Sequence, residues 1–105
     1  MSSKWIDVAA ADSLGESVPL SVEAGGEAIV LVRCRGALYA VEDRCTHDGE
    51  SLGGAQIEDC EIVCPRHFSH FSLESGEALT PPAYEALRTY AAREENGRVL
   101  VELPE

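Results

Sequence analysis

The sequence predicts an all-β protein, a sandwich or barrel built from short antiparallel strands. Many short runs of β-branched and aromatic residues alternate with turns that contain Gly, Pro or Asn. No stretch repeats apolar residues at the 3.6-residue period of an amphipathic helix. Asn96-Gly97 lies between two apolar runs, and this pair is the strongest short signal for a β-hairpin. The 105 residues correspond to a single domain, residues 1–105.

The first half of the chain contains four predicted strands. Residues 5–8 form a short first strand, and residues 17–22 form an edge strand because Pro19 has no N–H to donate to a neighbour. Residues 27–33 are almost continuously apolar and β-branched, which predicts a buried strand. After a turn at Arg35-Gly36, residues 37–41 fit the partner strand of a hairpin.

The second half is predicted to hold shorter strands. Residues 61–63 form one strand, and the alternation over 68–73 indicates another. Residues 80–83 include two prolines and form either a plain connector or a wall beside the preceding loops. Residues 87–91 and 99–103 flank the Asn-Gly turn and are the predicted strands of the last hairpin.

Charge and hydropathy exclude several classes of function. The net charge is −11, from 19 acidic and 8 basic residues, so nucleic acid would be repelled. Two interpretations of the acidic surface are about equally favoured: it docks a basic partner protein, or it serves only to keep the protein soluble. No apolar run approaches the ~20 residues of a membrane span, and no signal peptide is visible, so we expect a cytoplasmic protein without membrane contact. In that compartment cysteines more often bind metal or take part in redox chemistry than form structural disulfides.

Two matched arms carry ligand-type residues. Cys45-Thr46-His47 is followed after sixteen residues by Cys64-Pro65-Arg66-His67. A structural zinc site is one interpretation, although zinc sites usually pair like ligands at Cys-x2-4-Cys and His-x3-5-His spacings. A [2Fe-2S] cluster with two thiolates on one iron and two imidazoles on the other fits two mixed arms better.

The chain resembles Rieske-type ferredoxins, in particular the ferredoxin components of bacterial aromatic-ring dioxygenase systems. The motifs that carry the resemblance are Cys45-Thr46-His47-Asp48-Gly49 and Cys64-Pro65-Arg66-His67. The resemblance implies that Cys45 and Cys64 bind the inner iron, and His47 and His67 the outer one. It also implies a Rieske fold of three small antiparallel sheets, in which a cluster-binding subdomain, about residues 43–76, sits on a basal sandwich.

The function implied by this resemblance is electron transfer. Such a ferredoxin carries single electrons from a flavin-dependent ferredoxin reductase to a terminal oxygenase, and we expect a monomer that is not itself an enzyme. The alternative is a small iron–sulfur subunit of a larger reductase, or a redox-sensing or assembly module in iron–sulfur biogenesis.

Several residues depart from the family pattern or have no assigned role. Phe68 stands where the family usually has Gly, so we expect a changed backbone or an exposed ring beside the cluster. Ser69 stands where high-potential Rieske proteins have a Ser that hydrogen-bonds a cluster sulfide. His70 is expected to be a surface strand residue, and Cys34 and Cys60 are expected to be thiols rather than a disulfide.

Overall fold

The computed structural model describes residues 3–45, 51–52, 54–65, 68–81, 83 and 85–104. Within these residues there are ten strands and one turn of 3-10 helix, Ala11–Ser13, which confirms the all-β prediction. No helix in the described part of the chain is long and apolar enough to cross a membrane. The strands are β1 Ser3–Ala10, β2 Leu20–Ala24, β3 Glu27–Cys34, β4 Ala37–Glu42, β5 Gln56–Glu58, β6 Glu61–Val63, β7 His70–Ser72, β8 Thr89–Tyr90, β9 Ala92–Glu95 and β10 Arg98–Pro104.

The strands form three antiparallel sheets, as the resemblance to Rieske ferredoxins implied. The terminal sheet has the order β1-β10-β9, the central sheet β2-β3-β4-β8, and the small sheet β5-β6-β7. In the terminal sheet Ser3 lies opposite Pro104, so the two ends of the chain are paired with each other. Side chains of the terminal and central sheets share one hydrophobic core, which makes these two sheets a sandwich.

Strand β3 is buried on both faces and separates two cores. Ile29 and Leu31 point into the core shared with the terminal sheet. Val30 and Val32 point into a second core, shared with the small sheet. All four side chains are fully buried, and each such side chain contributes about 1.5–3 kcal/mol relative to an exposed one. Burial on both faces explains why the sequence is continuously apolar here rather than alternating.

The edge strand predicted near Pro19 is confirmed, but it is shifted along the chain. Strand β2 begins at Leu20, directly after the proline, and pairs only with β3 at the edge of the central sheet. The predicted hairpin partner of β3 is also confirmed, since β4 pairs with it through the Arg35-Gly36 turn, where both residues have positive φ.

The last hairpin was predicted at the right turn but with the wrong first strand. Strand β9, not residues 87–91, pairs with β10 across Asn96-Gly97. The apolar character of residues 87–91 has another origin, because Leu87 is buried in the second core and β8 pairs with β4. Strand β9 escaped prediction because an edge strand with the sequence Ala-Arg-Glu-Glu is mostly exposed and polar.

Strand β5 was not predicted, and the expectation of two thiols at Cys34 and Cys60 is wrong. Strands β5 and β6 form a hairpin whose turn is Asp59-Cys60, with φ of 50° and 59°. This turn lies against the end of β3, where Cys34 and Cys60 form a disulfide with a Cα–Cα separation of 5.8 Å. The prediction failed because it was argued from the cellular compartment, whereas pairing depends on the spatial proximity of two segments.

Candidate metal centre

Two of the four predicted cluster ligands are described, and both are buried cysteines in the second core. Cys45 follows the end of β4 by three residues and has 0% of its surface exposed, and Cys64 directly follows β6 and is 1% exposed. Both belong to the same cluster of buried side chains as Val30 and Val32. Neither forms a disulfide. The fold therefore brings both thiols to the one core that the central and small sheets share.

The predicted histidine ligands, His47 and His67, lie outside the described residues, and so does Arg66. Among the residues that the structure describes, no group of three or more His, Cys, Asp or Glu side chains could hold a metal ion. The structure thus places the cysteine half of the predicted ligand set, and the histidine half stays a prediction.

Backbone hydrogen bonds close the loop that begins with Cys64. Its N–H donates to the carbonyl of Ser69 at 2.9 Å, and its carbonyl accepts from the N–H of Phe68 at 3.0 Å. Ser69 is the one buried polar residue in the described part of the chain, with 0% exposure. Its hydroxyl accepts a hydrogen bond from the N–H of Ala83 at 3.2 Å. Ala83 therefore lies against this loop, which favours the interpretation of this segment as a wall over that of a plain connector.

Phe68 has the exposed ring that was one of the two alternatives expected at this position, and its backbone has the conformation that a glycine would favour. Its φ is +60°, in the left-handed region that glycine adopts most easily, and 70% of its surface is exposed. The ring borders a cavity of about 130 Å³ together with Gly54, Cys64 and Pro65. The departure from the family pattern therefore places an aromatic ring on the surface beside a predicted ligand.

The backbone cost at this position can be measured with two variants of Phe68. Phe68→Gly and Phe68→Ala both remove the exposed ring, but only Ala retains a Cβ at φ +60°. Since the left-handed conformation costs an L-residue roughly 1–2 kcal/mol, we expect the Gly variant to have the larger free energy of unfolding by about 1 kcal/mol. Denaturant unfolding of both variants measures this difference, and equal stabilities would show that the turn carries no such strain.

The first arm is held by the carboxylate of Asp43, two residues before Cys45. Asp43 Oδ1 accepts hydrogen bonds from the N–H of Leu52 at 2.6 Å and from the hydroxyl of Ser51 at 2.8 Å. The N–H of Asp43 donates to the carbonyl of Ala28 at 3.0 Å, at the start of β3. Asp43 thus joins the segment after the arm to the central sheet. This role of Asp43 was not predicted, because a hydrogen bond to a residue nine positions away has no local signature in the sequence.

His70 lies on a strand with a partly exposed side chain, as expected, and it has in addition a contact that was not expected. It lies on β7 with its side chain 28% exposed, and its Nδ1 is 2.9 Å from Glu61 Oε1 on β6. This cross-strand pair ties β7 to the strand that delivers Cys64.

Most of the described arginines are paired with nearby carboxylates, and because the acidic residues outnumber the basic ones, the surface stays acidic. The hydrogen bond that Arg98 donates to Asp7 raises the pKa of Arg98 above its usual value, and the hydrogen bond that Arg88 donates to the Tyr90 hydroxyl oxygen raises the pKa of Arg88. Exposed pairs of this kind contribute little to stability, but they leave the excess of acidic groups unopposed. The ion pairs are Arg33–Glu94, Arg35–Asp59, Arg44–Glu42, Arg93–Glu95 and Arg98–Asp7.

The fold and the two buried thiols can now be compared with known proteins. The chain belongs to the Rieske [2Fe-2S] domain family, which it matches over residues 4–91. It is 33% identical over 103 residues to the ferredoxin component of the naphthalene 1,2-dioxygenase/salicylate 5-hydroxylase systems of Ralstonia sp., and the match covers 98% of this chain and 99% of that protein.

Solved structures agree with this assignment. The ferredoxin of carbazole 1,9a-dioxygenase from Nocardioides aromaticivorans IC177 superposes with a TM-score of 0.88 at 26% identity, over 93% of this chain and 96% of that one. A ferredoxin–oxygenase complex of carbazole 1,9a-dioxygenase contains a chain that matches with a TM-score of 0.85 at 28% identity, over 92% of this chain and 91% of that one. The family and these similarities show a Rieske-type ferredoxin, a carrier of single electrons that uses a [2Fe-2S] cluster.

The donors that the structure describes fit this cluster. Cysteine thiolates are the ligands that hold [2Fe-2S] clusters in proteins. Two thiolates without a cation would be costly in a core where Cys45 and Cys64 have at most 1% exposure, whereas iron offsets their charge. Hydrogen bonds around a metal site orient its ligands, and those of Asp43 and Ser69 fix the backbone close to Cys45 and Cys64.

Proposed function

We propose that this protein carries single electrons from a flavin-dependent ferredoxin reductase to the terminal oxygenase of an aromatic-ring dioxygenase system. The observation that carries the proposal is the match to the Ralstonia ferredoxin component over nearly the whole of both chains. The ferredoxin–oxygenase complex among the solved relatives supports an oxygenase as the electron acceptor. The acidic surface supports docking to a basic face of a partner, since opposite fields orient weak encounter complexes.

We assign the cluster ligands within this proposal. Cys45 and Cys64 hold the inner iron, which agrees with their burial, and His47 and His67 hold the outer iron. When bound, the cluster supplies a one-electron change, and Rieske potentials lie at about −150 to +300 mV against about −400 mV for all-cysteine plant-type ferredoxins. Neutral imidazoles in place of two thiolates reduce the negative charge of the centre, which favours uptake of an electron.

We also propose how the chain is organised. Residues 1–105 act as one domain, in which residues 43–76 form the cluster-binding subdomain, and the small sheet within that range supports this division. The protein acts as a cytoplasmic monomer and is not itself an enzyme. Among the described residues the exposed large apolar side chains are Val18, Phe68 and Leu79, and scattered side chains of this kind do not require a second copy of the chain.

Reconstitution tests the proposal. Purified protein, NADH, a flavin-dependent reductase and an oxygenase are mixed, and formation of hydroxylated product is followed with and without the ferredoxin. We expect turnover to depend on the ferredoxin, and we expect the dithionite-reduced protein to give the EPR signal of a Rieske centre. A colourless protein that holds only zinc, or turnover that is unchanged when the protein is omitted, would refute the assignment.

Ser69 is expected to raise the reduction potential of the cluster. Its hydroxyl accepts from the N–H of Ala83, so its proton can be donated to a further acceptor in the buried loop after Cys64. A bond of this kind that strengthens on reduction would be lost in Ser69→Ala, and we expect the potential to fall by roughly 20–60 mV. Ser72→Ala is the matched control, because the hydroxyl of Ser72 also accepts a backbone N–H, from Ser75, but lies at the far end of β7. Equal potentials for wild type and Ser69→Ala would remove this role.

A further inference from the structure

The disulfide between Cys34 and Cys60 joins the two walls of the core that holds the ligand thiols. Cys34 ends β3 of the central sheet, and Cys60 lies in the β5–β6 turn of the small sheet. Cys34 belongs to the same buried cluster as Cys45 and Cys64, and Cys60 packs against it. The covalent bond therefore connects the sandwich directly to the hairpin that delivers Cys64, four residues after Cys60.

The bond also encloses the first ligand arm. The two cysteines lie 26 positions apart in the sequence, and this interval contains β4, the arm that begins at Cys45, and β5. Closing a loop of this size limits the conformations available to the unfolded segment and so favours the folded one. The first arm lies inside the closed loop and the second arm begins just beyond it, so one bond restrains both.

Other contacts hold the two segments together without the disulfide. Arg35, next to Cys34, forms an ion pair with Asp59, next to Cys60, at 3.3 Å, and this exposed pair contributes little by itself. Buried side chains of the two segments, Val32 on β3 and Ile62 on β6, share one core. The Cys60 carbonyl accepts a hydrogen bond from the N–H of Leu73 at 3.2 Å within the small sheet. These contacts do not depend on the sulfur atoms, so the two thiols of the reduced protein would stay close enough to pair again.

Cys60 lies in a strained turn and is the more accessible of the two cysteines. Its φ of +59° is a conformation in which glycine would be less strained, yet the position holds a cysteine. The residue is partly exposed, whereas Cys34 is only 4% exposed, and both border an open groove of about 380 Å³. A small thiol or disulfide can therefore reach the sulfur of Cys60 first.

We propose that Cys34 and Cys60 are a reversible thiol–disulfide couple that controls how firmly the cluster is retained. The inference rests on the proposed function, because it takes Cys45 and Cys64 as cluster ligands. In a reducing compartment, a disulfide of this kind is usually transient or redox-sensing rather than structural. The oxidised couple ties the small sheet to the sandwich, and the reduced couple leaves the Cys64 hairpin held only by noncovalent contacts.

The oxidant is a low-molecular-weight disulfide such as oxidised glutathione. The Cys60 thiolate attacks one sulfur of glutathione disulfide, which breaks that S–S bond, releases one glutathione thiolate and leaves a mixed disulfide on Cys60. The Cys34 thiolate then attacks the Cys60 sulfur and releases the second glutathione. Two electrons pass from the protein thiols to glutathione, and the two thiol protons leave with the glutathione thiols.

The test uses the cluster-loaded protein in a series of buffers that differ in the ratio of reduced to oxidised glutathione, and therefore in redox poise. The disulfide is detected by alkylation of free thiols followed by mass spectrometry. The reduced protein carries one label on each of Cys34 and Cys60, whereas the oxidised protein carries neither label and is two hydrogen atoms lighter. Cluster retention is read as the rate at which visible absorption decays in the presence of an iron chelator. We expect a reversible change of mass, and a several-fold faster loss of the cluster from the dithiol form.

The double variant Cys34→Ser with Cys60→Ser is the control for direct effects of glutathione on the cluster. We expect its rate of cluster loss to equal that of the reduced wild type and to be independent of the poise. A cluster whose loss rate is the same in both forms of the wild type, or a protein that forms no disulfide at any poise, would overturn the regulatory role alone. A protein that changes mass but binds no [2Fe-2S] cluster would overturn the proposed function and the regulatory role with it.

Discussion

Cys64→Ser is expected to yield a protein without the [2Fe-2S] cluster, because a serine hydroxyl does not replace a thiolate as a ligand for iron. Cys64 is 1% exposed at the end of β6, so no water or neighbouring surface residue can easily take its place in the core. Iron analysis and visible absorption of the purified variant measure the effect, and we expect loss of nearly all bound iron. Cys45→Ser is expected to behave in the same way.

The loss of the cluster is also expected to lower stability. Binding of a metal group to the folded state only is coupled to folding, so its free energy contributes to the free energy of unfolding. We expect the Tm of Cys64→Ser to fall by about 10 °C or more. His70→Gln is the control, since His70 is paired with Glu61 on the small sheet and lies outside the proposed ligand set. Full iron content in Cys64→Ser, or loss of iron in His70→Gln, would contradict the ligand assignment.

The sequence predicted the parts of this protein that depend on residue identity or on a long hydrophobic pattern. Strand β3 was recognised because burial on both faces leaves an uninterrupted apolar run. The two arms were recognised because Cys and His at matched spacing are rare outside metal sites, and the structure puts Cys45 and Cys64 in one core. Phe68 stood out against the family pattern, and the structure shows its ring exposed on a backbone with positive φ, which glycine adopts more easily.

The parts that escaped prediction depend on contacts between distant segments. Strand β5 has three residues and only Ile57 is even partly buried, so no periodic signal exists. The β8–β4 pairing and the disulfide at Cys34 arise from the approach of segments far apart in sequence. Asp43 reaches Leu52 across an arm, which no local pattern encodes. Local patterns therefore predicted the two ligand arms, whereas the contacts around Cys45 and Cys64 became visible only in three dimensions.

Gly76→Ala is expected to destabilise the protein strongly, because both the backbone and the surroundings of Gly76 exclude a side chain. Its φ is +77°, and an added Cβ would overlap the carbonyl oxygen of Leu87 and lie 3.0 Å from Thr89 Cγ2. The obstacle is backbone that cannot easily move, since Leu87 is buried in the second core and its N–H donates to the Gly76 carbonyl at 2.7 Å. Left-handed strain and overpacking together cost roughly 2–5 kcal/mol.

Gly97→Ala separates these two contributions. Gly97 has the same φ of +77°, but nothing lies within 4 Å of the position where its Cβ would be. We therefore expect this variant to lose only the roughly 1–2 kcal/mol of left-handed strain. Thermal and denaturant unfolding of the two variants give the comparison, and the excess loss in Gly76→Ala measures the overlap with Leu87. Equal losses would mean that the segment after β7 can shift, and that the wall of the second core at Leu87 is less rigid than the hydrogen bond to Gly76 implies.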